Sequence, residues 1–306
     1  MVIGASGQDG TLLGRLLKSK GYQVAGVSRG PADECYDESI VLDVMDKAAL
    51  SQVVRTRHPA EIYYLASYHR SSQAQGAALA EGEASRTFDV NLNSYIAVLE
   101  AALDLTPRPR IFYASSSLIF GNAEGGLATE QTPPQPQCLY SISKLTAMKV
   151  SEQFRQVPGM HISIGILFNH ESAFRNGSFL SKRIVDSIKA IKQGRSQSLV
   201  VGELDAACDW GYAGDFVEAM WRMLQKESGD TYVVATGTLH TVRDWVDAGC
   251  ALAGLSIGNV VREDPSLLFR RRPVLRGDSS KLQAITDWRP ATEFGTMVEK
   301  IYHEEA

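Results

Sequence analysis

The sequence is poor in cysteine, in excess positive charge and in long apolar runs, and each shortage removes a class of protein. Its four cysteines, Cys35, Cys138, Cys208 and Cys250, are scattered over 306 residues with no C-x-x-C pair. Neither a zinc site nor a disulfide framework is indicated, and reduced thiols in a cytosol are expected. Lys and Arg total 31 against 35 Asp and Glu, a net charge of -4. That balance offers no electrostatic footprint for nucleic acid or an anionic membrane. No stretch approaches the ~18 unbroken apolar residues of a membrane span. The first residues, Met1-Val2-Ile3-Gly4, show neither a basic n-region nor an apolar h-region, so a cytoplasmic location is expected. Internal repeats, low-complexity tracts and long flexible linkers are also missing.

What is present is enough for a normal core, with 44% hydrophobic and 22% charged residues. A chain of this length fits one large α/β domain or two lobes sharing a cleft. The opening reads as a short strand (Val2-Ile3), a glycine turn, a helix with Leu12, Leu13, Leu16 and Leu17 on one face, and an apolar stretch from Tyr22 to Val27. That is a βαβ unit. The alternation continues with helical patterns at Leu50–Arg57, Thr87–Leu103 and Ser141–Phe154, and strand patterns at Glu61–Leu65, Arg110–Ala114 and His161–Leu167. Strand then helix, repeated, predicts a Rossmann-type doubly wound parallel sheet extending to about residue 168. Beyond it the pattern loosens into a smaller mixed α/β lobe, with helices near Phe179–Lys192, Asp215–Leu224 and Thr241–Ala253, a strand at Ser198–Val201, and a basic loop at Arg270-Arg271-Arg272-Pro273. The predicted division is 1–168 for a dinucleotide-binding domain and 169–306 for a substrate lobe, with chain crossings between them allowed.

Gly4-Ala5-Ser6-Gly7-Gln8-Asp9-Gly10 lies between the first strand and the first helix. Glycines there permit a tight turn and let backbone N–H groups at a helix N-terminus approach a pyrophosphate, whose charge the helix dipole favours. An ordinary glycine-rich turn is the bland alternative, and the spacing, three apart, differs from the Gly-x-Gly start of Rossmann dehydrogenases. The second strand ends Val27-Ser28-Arg29 with no carboxylate to accept from a ribose. Arg29 could pair with a 2′-phosphate, so NADP is preferred over NAD, the alternative being a solvated surface charge.

Tyr140 and Lys144 stand four apart, on one face of a predicted helix. A neighbouring ammonium is expected to lower the phenol's pKa and fit it to exchange a proton with a sugar hydroxyl or ketone. Alone the pair is weak, since Tyr and Lys are common on helix surfaces. Its company is Ser115-Ser116-Ser117, at the carboxyl end of the preceding strand, where ligands bind in open α/β sheets. Ser116 or Ser117 would hold the reacting oxygen beside Tyr140.

Together these segments resemble the extended short-chain dehydrogenase/reductase superfamily and, more closely, the GDP-mannose 4,6-dehydratase family. The resemblance runs through nearly the whole chain: the glycine turn, Glu61-Ile62-Tyr63-Tyr64-Leu65-Ala66, the serine strand, the Tyr140/Lys144 helix, and above all Ile166-Leu167-Phe168-Asn169-His170-Glu171-Ser172. Leu204-Asp205-Ala206, Asp209-Trp210-Gly211 and Gly277-Asp278 agree in order and spacing. The resemblance implies an enzyme acting on a nucleotide sugar, GDP-linked, as a homodimer or homotetramer joined through helices that flank the sheet. It implies that Leu65, Ala66 and Asp43 adjoin the cofactor, Asp43 near the adenine. It implies that Asn169, Arg175, Lys182 and Arg183 face the diphosphate or nucleotide, with Arg276 near its far end. A solvated helix charge is the alternative for each arginine.

The pattern breaks at the substrate. The family's dehydratases carry, after the serines, a Glu that removes the C5 proton and helps expel the C6 hydroxyl; here the residue is Leu118. Leucine does no acid or base work, and loss of such a group costs ~10²- to 10⁴-fold in rate. Glu130 and Glu171 are candidates for a relocated carboxylate. Cys208 stands where an arginine on the diphosphate is expected. Leu65-Ala66-Ser67-Tyr68-His69-Arg70-Ser71 also departs from the family, which makes His69 and Arg70 candidate site residues. The expected activity is therefore an NADP-dependent oxidoreductase acting at sugar C4, of 4-keto reductase or epimerase type. The alternatives are a 4,6-dehydratase with a relocated acid/base group, and a cofactor-binding regulatory protein without turnover.

Overall fold

The computed structural model describes residues 1–69, 80–121, 126–267 and 274–304. In chain order the strands are β1 (Val2–Ile3), β2 (Ala25–Ser28), β3 (Glu38–Val41), β4 (Glu61–Tyr64), β5 (Arg110–Ser116), β6 (Leu127–Ala128), β7 (His161–Leu167), β8 (Asn169–Glu171), β9 (Leu199–Val201), β10 (Ala207–Tyr212), β11 (Thr231–Val234), β12 (Leu239–Thr241), β13 (Val261–Glu263) and β14 (Arg276–Gly277). The helices are α1 (Gln8–Ser19), α2 (Lys47–Arg57), α3 (Glu83–Phe88), α4 (Ser94–Leu103), α5 (Leu139–Phe154), α6 (Leu180–Lys192), α7 (Ala213–Leu224), α8 (Val242–Ala253), α9 (Ile257–Val260), α10 (Ser280–Thr286) and α11 (Phe294–His303).

Seven strands form one sheet in the order β11-β7-β5-β4-β1-β2-β3, with every pair parallel. The inner strands read as apolar runs because both of their faces are covered. Val2, Ile3, Ile62, Tyr63, Tyr64, Ile111, Phe112 and Tyr113 are fully buried. One face packs on α2, α4 and α5 through Leu50, Val54, Tyr95, Val98, Ala147 and Met148. The other packs on α1, α7 and α10 through Leu13, Leu17, Phe216, Met220 and Leu282. This is the expected doubly wound Rossmann-type sheet. Strand order runs outward in both directions from β1 and β4, so the crevice at their carboxyl ends is the place where such sheets bind ligands.

The sheet does not stop near residue 168. Its last strand, β11, comes from residues 231–234 and pairs in parallel with β7, so the chain leaves the sheet and returns. Between and after these points a third core forms from Ile184, Val185 and Ile188 of α6, Trp245 and Val246 of α8, and Met297, Val298 and Ile301 of α11. Short strands link the two regions: β8 pairs with β10, which pairs with β12. The predicted long helix 87–103 begins earlier, at Glu83, and is interrupted by a π-helical segment, Asp89–Asn93. No helix among the described residues is long and apolar enough to cross a membrane.

Candidate active site

A cavity of about 870 Å³ opens at the carboxyl edge of the sheet, within the range of small-molecule sites. Its wall is built from strand ends: Gly4, Ser6, Gly7, Gln8, Asp9 and Gly10 after β1, Arg29 after β2, Leu65, Ser67 and His69 after β4, Ala114 to Ser116 of β5, and Leu118 just after it. Tyr140 and Lys144 of α5 and the segment from Leu167 to Glu171 complete the inner part. The outer part carries Phe174, Arg175, Phe179, Glu203, Asp205, Cys208 and Trp210.

Tyr140 and Lys144 do share one face of α5. Lys144 is 1% exposed; its Nζ donates to the Ala114 carbonyl at 2.8 Å and lies 5.7 Å from the Tyr140 ring centre. Burial lowers its pKa to about 7, with Asp9 opposing. The phenol differs from expectation. Burial raises its pKa above the ordinary value, and what pulls it back are hydrogen bonds with Ser116 and Ser67 and the charge of Arg175. Lys144 commits one hydrogen bond of its ammonium to the Ala114 carbonyl, at the end of β5. Ser117 sits in a one-turn 3-10 helix and is not part of the cavity wall.

Asn91, which sequence reasoning passed over, supports this group from the π-helical segment. Fully buried, it accepts from the Tyr68 N–H at 2.8 Å and from Ser67 Oγ at 3.3 Å. Its amide donates to the Tyr68 carbonyl at 3.1 Å and to Ser143 Oγ at 3.0 Å. Ser143 in turn donates to the Tyr140 carbonyl at 2.7 Å. One side chain thus ties the loop after β4 to the turn of α5 that carries the tyrosine. π-Helical insertions often sit at functional sites; a lone Asn inside a helical pattern gives no such signal in sequence. His69 packs its ring 4.2 Å from that of Tyr140, while Arg70 and the Arg270–Arg272 loop lie outside the described residues.

The glycine turn suits a diphosphate. Gly4 adopts φ +100°, and a Cβ there would lie 2.6 Å from the Ala66 nitrogen. A Cβ on Gly10 would lie 2.3 Å from the Gly4 carbonyl oxygen, so only glycine lets α1 approach the turn this closely. Ser6 and Gly7 are exposed to the cavity, and the first N–H groups of α1 lack intrahelical acceptors. These donors, with the exposed Arg29 on the same wall, fit a dinucleotide pyrophosphate. Two expected neighbours are absent from the wall. Asp43 turns inward on its own loop and accepts from the Met45 N–H at 3.0 Å. Ala66 packs behind Gly4, its N–H donating to Ile3.

Of the expected substrate residues, Asn169 and Arg175 reach the cavity. Arg175 pairs with Glu171 at 3.1 Å and lies 3.7 Å over the Phe179 ring. Lys182, Arg183 and Arg276 are not brought to the wall. Lys182 is held by Asp186 one helical turn on. Arg183 buries its Nε and one terminal nitrogen without a hydrogen-bond partner among the described residues. Arg276 is exposed on β14, which pairs with β6. Both candidates for a relocated carboxylate are engaged by neighbouring groups. Glu130 lies off the cavity wall and accepts from the Val233 N–H at 2.8 Å. Glu171, 3% exposed, accepts from Ser181 at 2.7 Å and forms an ion pair with Arg175.

Comparison with known proteins agrees with this architecture. The family described as GDP-mannose 4,6 dehydratase matches residues 1–301. GDP-mannose 4,6-dehydratase sdnI of Sordaria araneosa is 34% identical over 98% of this chain, which spans 59% of that relative's length. GDP-mannose 4,6 dehydratase 1 of Arabidopsis thaliana is 32% identical over 100% of this chain and 89% of its own. Among solved structures, a Thermus thermophilus UDP-glucose 4-epimerase in complex with NAD superposes with a TM-score of 0.81 at 23% identity, covering 99% of this chain and 97% of that one.

Proposed function

The chain belongs to the GDP-mannose 4,6-dehydratase family, and from that premise we propose that it is a nicotinamide-dependent oxidoreductase acting at C4 of a GDP-linked hexose, without efficient 4,6-dehydration. One observation carries the proposal: Leu118 lines the cavity two residues beyond Ser116. Dehydration needs a group there that takes a proton from C5 and gives one to the departing hydroxyl, and a leucine does neither. Glu130 lies off the wall and is held by the Val233 N–H, and Glu171, on the wall, is taken up by Ser181 and Arg175. Oxidation or reduction at C4 needs only the groups that are present.

The cofactor, when bound, supplies or accepts the hydride. The protein's part is the proton and the geometry. Tyr140 holds the proton exchanged with the C4 oxygen, Ser116 shares that oxygen, and exclusion of water by the buried wall strengthens both contacts. Lys144 keeps the C-terminal end of β5 against α5 through Ala114. Asn169 and Arg175 are proposed to face the nucleotide diphosphate, with Cys208 leaving one charge fewer there. Arg29 favours NADP, whereas the Thermus neighbour carries NAD; titration with both cofactors separates them, and equal affinity would remove the role given to Arg29.

The test of the reaction is incubation with GDP-mannose and catalytic cofactor, followed by NMR. Little 4-keto-6-deoxy product is expected, with a clear increase in the Leu118→Glu variant. Robust product from the unaltered chain would establish the dehydratase alternative. Tyr140→Phe should abolish reduction of a GDP-4-keto-6-deoxyhexose, a loss of ~10²-fold or more.

A further inference from the structure

His170 and Asp9 form a buried contact that the proposed reaction does not use. They belong to different parts of the molecule: Asp9 is the second residue of α1, beside the phosphate turn, and His170 lies in β8, on the substrate segment. His170 is 9% exposed. Its Nε2 lies 3.0 Å from Asp9 Oδ2, and its Nδ1 lies 2.7 Å from the Phe168 carbonyl oxygen. Both ring nitrogens face acceptors, and a neutral imidazole can donate from only one. The arrangement is satisfied when the ring carries both protons.

Gln8 doubles the link. Its amide nitrogen donates to the His170 carbonyl at 3.0 Å and to Asp9 Oδ1 at 3.1 Å, and its oxygen accepts from Ser172 Oγ at 3.0 Å. The Phe216 ring of α7 stacks on His170 at 4.6 Å. Of the charged groups around the imidazole, Asp9 favours its protonation and Arg175 opposes it; Glu171 is engaged with Arg175. Lys144 feels the Asp9 carboxylate, but its own burial is the larger effect on it.

A carboxylate in the first turn of a diphosphate-binding helix would repel the ligand that the helix attracts. We infer that His170, protonated on both nitrogens, is a positioning residue that cancels the charge of Asp9 at the phosphate turn and so sets cofactor affinity, while fastening the substrate segment to the cofactor helix. The inference rests on the proposal that a nicotinamide dinucleotide lies on the α1 turn, and is independent of which sugar is turned over. Burial disfavours the imidazolium, but the charge and hydrogen bond of Asp9 outweigh it and raise the His170 pKa. The compensation is therefore present below that raised value and is lost as pH rises through it. Cofactor affinity should fall with it.

The experiment titrates the full chain with NADH and with NADPH, followed by nicotinamide fluorescence, between about pH 6 and about pH 9. Using both separates this effect from ionisation of the 2′-phosphate, which NADH lacks. The unaltered protein should bind both more weakly as pH rises. His170→Gln should bind about tenfold more weakly across the range, as expected for one uncompensated like charge nearby. The decisive variant is Asp9→Asn combined with His170→Gln, which removes both charges and should recover most of the loss; a purely structural histidine predicts no recovery. Normal binding by His170→Gln, or a double variant no better than the single one, overturns the inference. If His170→Gln does not fold, Asp9→Asn alone decides: it should lose the decline that accompanies rising pH, and an unchanged profile overturns the inference. Absence of any cofactor binding by the unaltered chain would bring down the nicotinamide reading and this inference together, whereas intact binding with no sugar turnover touches only the substrate reading.

Discussion

Lys144 shows how a side chain can be placed against its own charge. Burial holds it near pH 7 while an unfolded lysine titrates at 10.5. Folding therefore works against the charged form, most strongly below about pH 7, and the opposition fades as pH approaches 10.5. Lys144→Met removes it. The variant should be at least as stable as the parent at neutral pH and should lose turnover, and the stability gap should narrow as pH is raised from about 7 toward 10.5. Denaturant melts at several pH values measure this directly. The sequence spacing made Tyr140, Lys144 and Ser116 legible as a group, because four residues on a helix and a strand end are local facts. It could not reveal that Lys144 points at Ala114 or that serines, more than the lysine, pull the phenol down. The contact of His170 with Asp9 spans 161 residues of chain, and no local pattern encodes it.

At the scale of elements, the apolar runs behaved as read. β7 occupies the predicted residues, and α2, α6 and α8 begin or end within three residues of their patterns, since burial on one or two faces dictates the residue types. Among the strands that escaped notice, β3, β8, β10 and β12 carry polar or charged residues such as Glu38, Glu171, Asp209 and His240, while β11 is a short apolar run, Thr231–Val234, in the loosely patterned second half. Their hydrogen-bonding partners come from distant chain, so their periodicity says little. The π-helical break before α4 was equally invisible, yet it is what turns Asn91 toward Tyr68 and Ser143. Asn91→Ala should destabilise by ~2 kcal/mol, since it leaves several buried partners unsatisfied. It should also lower kcat more than it weakens cofactor binding, because the tie it breaks positions the tyrosine helix. Thermal melts and steady-state kinetics on one preparation would separate the two effects, and an unchanged kcat would count against the positioning role.

For the whole molecule, the division into 1–168 and 169–306 is retained as a proposal about function, cofactor on one side and substrate on the other. It is not a division of the folding unit. β11 returns to complete the sheet, and α7 covers the same face as α1. Buried Asp209 on β10 accepts from the Thr236, Gly237 and Gly277 N–H groups at 3.0, 2.9 and 3.0 Å, which pins three separate stretches together. Residues 1–168 expressed alone should therefore be insoluble or molten, with weak near-ultraviolet circular dichroism; a soluble fragment binding cofactor with the affinity of the full chain would refute this. Homodimer or homotetramer formation remains a proposal as well, to be settled by sedimentation. Ile142, 39% exposed on α5, lies on the helix expected to mediate it.

The late arrival of β11 also bears on how the protein is made. A ribosome releases β7 well before the strand that will cover it, so the growing chain carries an open, apolar sheet edge while the intervening lobe is still being translated. Synthesis speed through that stretch, and the supply of chaperones to shield the edge, should govern the yield of native protein more than the stability of the finished fold.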